Sequence, residues 1–229
     1  MEITQFSNFI RYKPKKSFQV HRGPLFEDAF RTEAGRLTDN KLTIDNLWKE
    51  IANAYSTKGR HYHNLAHLDN VFSELLQVKE LIKDWQTIIF SIAYHDFIYN
   101  PLKQDNEEGS AEDASHKLAM LNASNEQKDK CSRQILATKG HQLSPDTDTN
   151  YFTDADLAIL GSDFDAYDQY ARQIRKEYKY FPNLIYNPGR KKVLNHFLQM
   201  EKIFKTSFFA DKYEKQARIN LKRELETLS

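Results

Sequence analysis

Along most of the chain the apolar residues recur three and four apart, the spacing of a helical stripe rather than the alternation of a strand. Leu47, Ile51 and Tyr55 follow Thr43, which can cap a helix over residues 44–56. Lys58-Gly59-Arg60 ends it, and Leu68, Val71, Phe72 and Leu75 carry a second stripe from His63 or Asn64 to about residue 83. The segment 85–99 differs. Ile88, Ile89, Phe90, Ile92 and Ala93 cover most of its circumference, which predicts a helix in the middle of a bundle, stopped by Asn100-Pro101. A helix over 105–121 has Asp105, Glu107 and Glu108 in its first turn, as the helix dipole prefers. Another over 125–138 buries Ile135 and Leu136 and meets Gly140 as a left-handed stop. Asp154 and Asp156 fall on or just before a helix through Gly161, and three more helices are predicted over 165–180, 191–205 and 211–228. Tyr167, Tyr170, Ile174, Tyr178 and Phe181 form an aromatic stripe that reads as core rather than as a strip for stacking bases.

Residues 1–40 show the weakest periodicity, broken by Lys13-Pro14-Lys15-Lys16 and Arg22-Gly23-Pro24. They read as a solvated leader, with a short helix at Leu25, Phe26, Ala29 and Phe30 packing on a single helical domain over 41–229. Ser144-Pro145-Asp146-Thr147-Asp148-Thr149-Asn150 reads as a polar loop with solvated acids; it lacks the glycine and terminal glutamate of a calcium-binding EF-hand.

Composition agrees with helices: the 229 residues include only 7 Gly and 6 Pro. Lys and Arg number 33 against 32 Asp and Glu, so the net charge of +1 gives no overall pull toward nucleic acid or anionic membrane. The single cysteine, Cys131, excludes an internal disulfide, and its neighbours Lys128, Lys130, Ser132 and Arg133 predict an exposed, incidental thiol. There is no uninterrupted apolar run of membrane-spanning length. Met1-Glu2-Ile3-Thr4-Gln5 has neither the charged start nor the apolar middle of a signal peptide, so a cytoplasmic location is expected. Nothing in the pattern sets an oligomeric state.

Candidate chemistry centres on Ser91-Ile92-Ala93-Tyr94-His95-Asp96-Phe97-Ile98-Tyr99, where an imidazole and a carboxylate interrupt an apolar run. Both lose hydration there, and a metal ion is one of the few partners that satisfies both. Arg60-His61-Tyr62-His63-Asn64-Leu65-Ala66-His67 and Phe152-Thr153-Asp154-Ala155-Asp156-Leu157 supply more nitrogen and oxygen donors and no thiolate, a set suited to zinc, manganese or iron.

The order Arg-x-Tyr-His, His95-Asp96, Ala155-Asp156-Leu157 resembles the H…HD…D signature of the HD superfamily of metal-dependent phosphohydrolases. Tyr94 to Tyr99, Asn106-Glu107-Glu108-Gly109-Ser110-Ala111, Asp154 to Gly161 and Gly189-Arg190-Lys191-Lys192-Val193-Leu194 are similar to a subgroup of predicted HD phosphohydrolases, over roughly residues 45–226. The resemblance implies an all-α, single-domain bundle of the HD type and hydrolysis of a small phosphorylated substrate, such as a nucleotide, by a metal-activated water. It implies one or two divalent ions (Mn, Fe, Zn, Mg or Ni) held by His63, His95, Asp96 and Asp156, with Asp96 bridging if a second ion binds. Arg60-x-x-His63 fits the family's spacing better than His67, which stays open as the first histidine; Asp154 likewise stays open beside Asp156, as a partner that orients a ligand or as a cap. Glu107 and Glu108 are expected near the metal, positioning water or a ligand, and His141 beside a second ion or a phosphate. Charge and position add Arg60, Lys139 and Arg190 as phosphate contacts, the last at a helix start where a bound phosphate would explain the cations; His196 is read as core or surface. Two alternatives remain: a di-iron oxygenase on the same fold, and a non-catalytic protein that senses a nucleotide.

Overall fold

A computed structural model of the chain describes residues 26–228, and these form helices joined by loops, with no strand among them. The basic clusters before residue 25, and Leu25 itself, lie outside the described residues. Helix α1 (Phe26–Gly35) turns Phe26, Phe30 and Ala34 into the core. Helix α2 (Lys41–Tyr55) begins earlier than expected because Asn40, not Thr43, caps it, its Oδ1 accepting from the Thr43 N–H at 3.1 Å. Asn64 caps α3 (Leu65–Leu76), which stops well before residue 83 and passes through a 3-10 turn, Lys79–Leu81. There follow α4 (Trp85–Tyr94), α5 (Asn106–Met120), α6 (Asn125–Ala137) and α7 (Thr147–Asp156), the last continued by a 3-10 segment, Leu157–Gly161. The chain then forms α8 (Phe164–Glu177), α9 (Asn183–Gln199) and α10 (Ser207–Thr227). Among the described residues no helix is long and apolar enough to cross a membrane.

Helix α4 is the centre. It packs against α1, α3, α5, α6 and α7, and every residue from Thr87 to Tyr94 is buried. Ile88, Ile89, Phe90 and Ile92 are wholly inaccessible, and burying each such side chain contributes about 1.5–3 kcal/mol. That outweighs the Asp84 cap on the Thr87 N–H, which contributes about 1 kcal/mol. Among its buried hydroxyls, that of Ser91 donates to Gln134 Oε1 of α6 at 2.6 Å.

Two buried carboxylates pin α7 at both ends. Asp148 accepts from the Lys83 and Asp84 N–H groups and from Lys130, tying the start of α7 to the entrance of α4. Asp154 accepts from the Lys205 and Thr206 N–H groups and the Thr206 hydroxyl, with Lys205 Nζ at 3.3 Å, tying its end to the entrance of α10.

Several expectations are corrected here. Asp148 is buried at the start of a helix rather than solvated in a loop. Cys131 faces inward beside Ser91, because α6 buries Cys131, Gln134 and Ile135; burial pushes the thiol up to about 12. Leu136, by contrast, is exposed. The left-handed residue after α6 is His141, at φ 49°, not Gly140. Helix α9 begins at Asn183, so Arg190-Lys191-Lys192 lies mid-helix, far from any N-terminal dipole. Arg190 is buried in a two-point pair with Glu224, at 2.7 and 2.9 Å, which removes it as a phosphate contact.

Gly161 lies against α10 so closely that an added Cβ would meet Tyr213 Cβ at 2.5 Å and its carbonyl oxygen at 2.7 Å. Gly161→Ala should therefore destabilise the fold by about 2–3 kcal/mol, read as a lower urea midpoint with an unchanged m-value.

Candidate metal centre

The donors converge where α4 stops. His95 is its C-cap, its N–H on Ser91 O and its ring Nδ1 3.0 Å from Ile92 O. A carbonyl can only accept, so Nδ1 carries the proton and Nε2 is left with a free lone pair when the ring is neutral. That lone pair faces His67 Nε2 at 3.0 Å, Asp96 Oδ2 at 3.0 Å and Asp156 Oδ1 at 3.6 Å. His67, in the first turn of α3, stands 3.2 Å from Asp156 Oδ1 and 3.6 Å from Asp96 Oδ2.

Two imidazole nitrogens and two carboxylates turned on one another make a donor set of the kind a divalent ion takes. Donors about 2.1 Å from a common cation lie about 3.0–3.4 Å apart at octahedral or tetrahedral angles; three of the observed separations fall at 3.0, 3.0 and 3.2 Å and two at 3.6 Å. His67, His95 and Asp96 form the tightest group, and the donor chemistry fits a divalent ion. The two histidines are almost fully buried, while Asp96 keeps 21% and Asp156 14% of its side chain exposed, so the group opens to solvent on its carboxylate side.

The electrostatics follow from this crowding. Burial alone would raise the Asp96 and Asp156 carboxyls; the neighbouring imidazoles reverse that, holding Asp156 down to about 2 and Asp96 lower still. Burial would likewise lower His95, but the Asp96 charge raises it to about 9, whereas at His67 burial prevails and lowers the ring.

Of the residues singled out from sequence, His67, His95, Asp96 and Asp156 meet. His63 stands just outside: it precedes the α3 cap, so it does not share a helical face with His67, and its Nε2 is 4.0 Å from Asp96 Oδ2. His141 reaches Asp156 Oδ2 at 3.7 Å, and burial lowers its ring to about 4. Asp154 turns away to cap the entrance of α10, as described above. Glu108 pairs with Lys139 at the surface and Glu107 lies 4.0 Å from the same ammonium group; neither touches the converging donors, because the first turn of α5 faces outward. Arg60 is a clamp rather than a free cation: Nη1 donates to Asp96 O and His63 O and Nη2 to Phe97 O, with the guanidinium between the rings of Tyr55 and Tyr99. His196 lies at the surface, 3.3 Å from Gly140 O.

Sequence reasoning missed Glu177. At the C-terminus of α8, its Oε1 accepts from the His61, Tyr62 and His63 N–H groups, and its Oε2 from Tyr99 OH and His63 Nδ1, each at 2.7 Å. These donors, His63 foremost, hold its carboxyl down to about 2 against burial. A signal existed: an acid in a helix's last turn, after Arg175 and Lys176, sits where the dipole disfavours it and so needs partners elsewhere.

Glu177→Ala would leave three N–H groups unpaired and should cost about 3 kcal/mol or more in urea unfolding. In metal-free protein, His95 is raised above 6.5 to about 9 in the folded state. The stability it contributes is thus fully present below pH 6.5 and lost as pH rises through 9, so the urea midpoint should fall over that window, and fall less in His95→Gln. Comparison of the chain with protein-family models, with curated proteins and with solved structures finds no match to any of them.

Proposed function

We propose that this chain is a metal-dependent phosphohydrolase with an HD-type bundle, acting on a small phosphate ester such as a nucleotide. The observation that carries the reading is the convergence of His67, His95 and Asp96, with Asp156 Oδ1 3.2 Å from His67 and 3.6 Å from His95, in a group open on its carboxylate side. These four would hold the ion, with His67 taking the place that motif spacing favoured for His63. A divalent cation bound there would supply a water of lowered pKa and draw charge from a phosphoryl oxygen. His141, beside Asp156, would stand next to a second ion.

The surrounding residues orient this set. Ile92 O fixes the His95 ring so that Nε2 points inward, as carbonyl and carboxylate partners do for metal-bound histidines. Arg60 holds the turn carrying Asp96 against the turn carrying His63. Glu177 keeps the proton of His63 on Nδ1, so Nε2 faces the open side beside Asp96 and can accept or return a proton during ester cleavage.

Elemental analysis of the purified full chain should find a first-row divalent metal, and turnover of p-nitrophenyl phosphate should depend on added manganese. His67→Ala and Asp156→Ala should lose metal and about 100-fold or more in turnover; His63→Ala should keep the metal and lose a comparable factor in turnover alone. Metal retained by His67→Ala, or oxygen uptake in place of ester cleavage, would overturn the reading.

A further inference from the structure

Next to the metal-ligand group, and sharing Arg60, Tyr99 and Glu177 with its supports, lies a cleft of about 520 Å³ between the 57–60 turn, the 97–103 loop and the end of α8. That is the size of a small-molecule site. Its charge is one-sided. Lys58, Lys103 and Lys179 line it from three separate segments, all exposed, and none makes an ion pair or side-chain hydrogen bond with the described residues. Some lysines elsewhere are matched, Lys117 with Glu50, Lys130 with Asp148, Lys139 with Glu108 and Lys212 with Glu74; others among the described residues stand unpaired on the surface, and what sets Lys58, Lys103 and Lys179 apart is that they line one concavity. Arg60 adds a fourth cation to the wall. Glu177 is the one acid in the lining, and both its oxygens are taken by His63, Tyr99 and main-chain N–H groups. In a chain of net charge +1 this concentrates positive potential in a single concave place. Gly59, at φ 111°, makes the reversal that sets Lys58 and Arg60 on the same cleft. At the rim Tyr180 is 74% exposed, with Lys179 Nζ 5.0 Å above its ring, so a flat apolar surface stands beside the charge.

We propose that this cleft binds a small molecule carrying two or more phosphates, with a planar ring laid against Tyr180. One phosphate would reach only part of a charge set spread over three segments, whereas a di- or triphosphate spans it, and an exposed tyrosine offers a stacking face to any base. The molecule is either the far end of the ester that is hydrolysed or a separate effector. Only the first of these rests on the phosphohydrolase reading; the binding does not.

The test is calorimetric titration of the full chain, treated with chelator, with inorganic tripolyphosphate and with adenosine diphosphate at low salt. Saturable binding of both is expected. Replacing Lys58, Lys103 and Lys179 together by Ala should weaken both by about tenfold or more. Tyr180→Ala should weaken adenosine diphosphate about tenfold and leave tripolyphosphate unchanged, and Lys192→Ala, outside the cleft, should change neither. All five side chains are exposed, so unchanged thermal unfolding checks that the variants stay folded. Absence of saturable binding, or tripolyphosphate binding by the triple variant as tight as by the parent, overturns the proposal whether or not the protein hydrolyses esters. Where manganese-dependent turnover is present, competitive inhibition by adenosine diphosphate assigns the cleft to the substrate, and a changed maximal rate assigns it to an effector.

Discussion

The site depends on where a fully buried helix ends. Helix α4 is buried from Thr87 to Tyr94 and packs on five others, so His95 at its end is shut off from solvent and Asp96 beside it is only partly open. The chain nevertheless places an imidazole and a carboxylate there. Such groups are tolerated away from water only when opposite charge and hydrogen bonds offset the lost hydration. Neighbouring helices bring what is required: α3 a second imidazole, α7 a second carboxylate. Neither set is satisfied by its own helix, and the convergence is the packing answer to a hydration problem.

Around that group, main-chain atoms carry much of the positioning. Arg60 spends its guanidinium on three carbonyls, and Glu177 receives three N–H groups along with a phenol and an imidazole. Both therefore organise loops. Loops placed by buried charge hold their shape because each displaced bond would leave a polar group unpaired in low dielectric. The same logic places α7, through Asp148 at one end and Asp154 at the other.

Helical periodicity made the all-α class and the central place of α4 legible in the sequence, because a helix with no polar face has few other places to go. Motif order also brought forward His95, Asp96 and Asp156. What periodicity could not resolve was which of two histidines four apart turns inward. That was decided by one cap: Asn64 starts α3 after His63, putting His67 in the first turn and His63 in the preceding loop. Glu107 and Glu108 share a turn beside the right loop, yet the rotation of α5 about its axis is a tertiary matter, and it turns them out toward Lys139. Local charge misled at Cys131 for another reason: basic neighbours in sequence do not say which way a helical residue faces, and Cys131 turns inward while Arg133 faces solvent and Lys130 reaches Asp148. Glu177 was harder to find for another cause: its place at a helix C-terminus marks it as needing partners, but those partners lie 78 to 116 residues away in sequence.

That distance bears on how the molecule comes together. The 61–63 loop is held by a carboxylate 116 residues downstream of His61, and contacts so remote along the chain close late, after the entropy of a long loop has been surrendered. During synthesis the first half can collapse around α4 while its histidines still lack their final orientation. The 61–63 loop then takes its final shape only once α8 has emerged and docked, so the setting of His63 follows helix packing rather than guiding it.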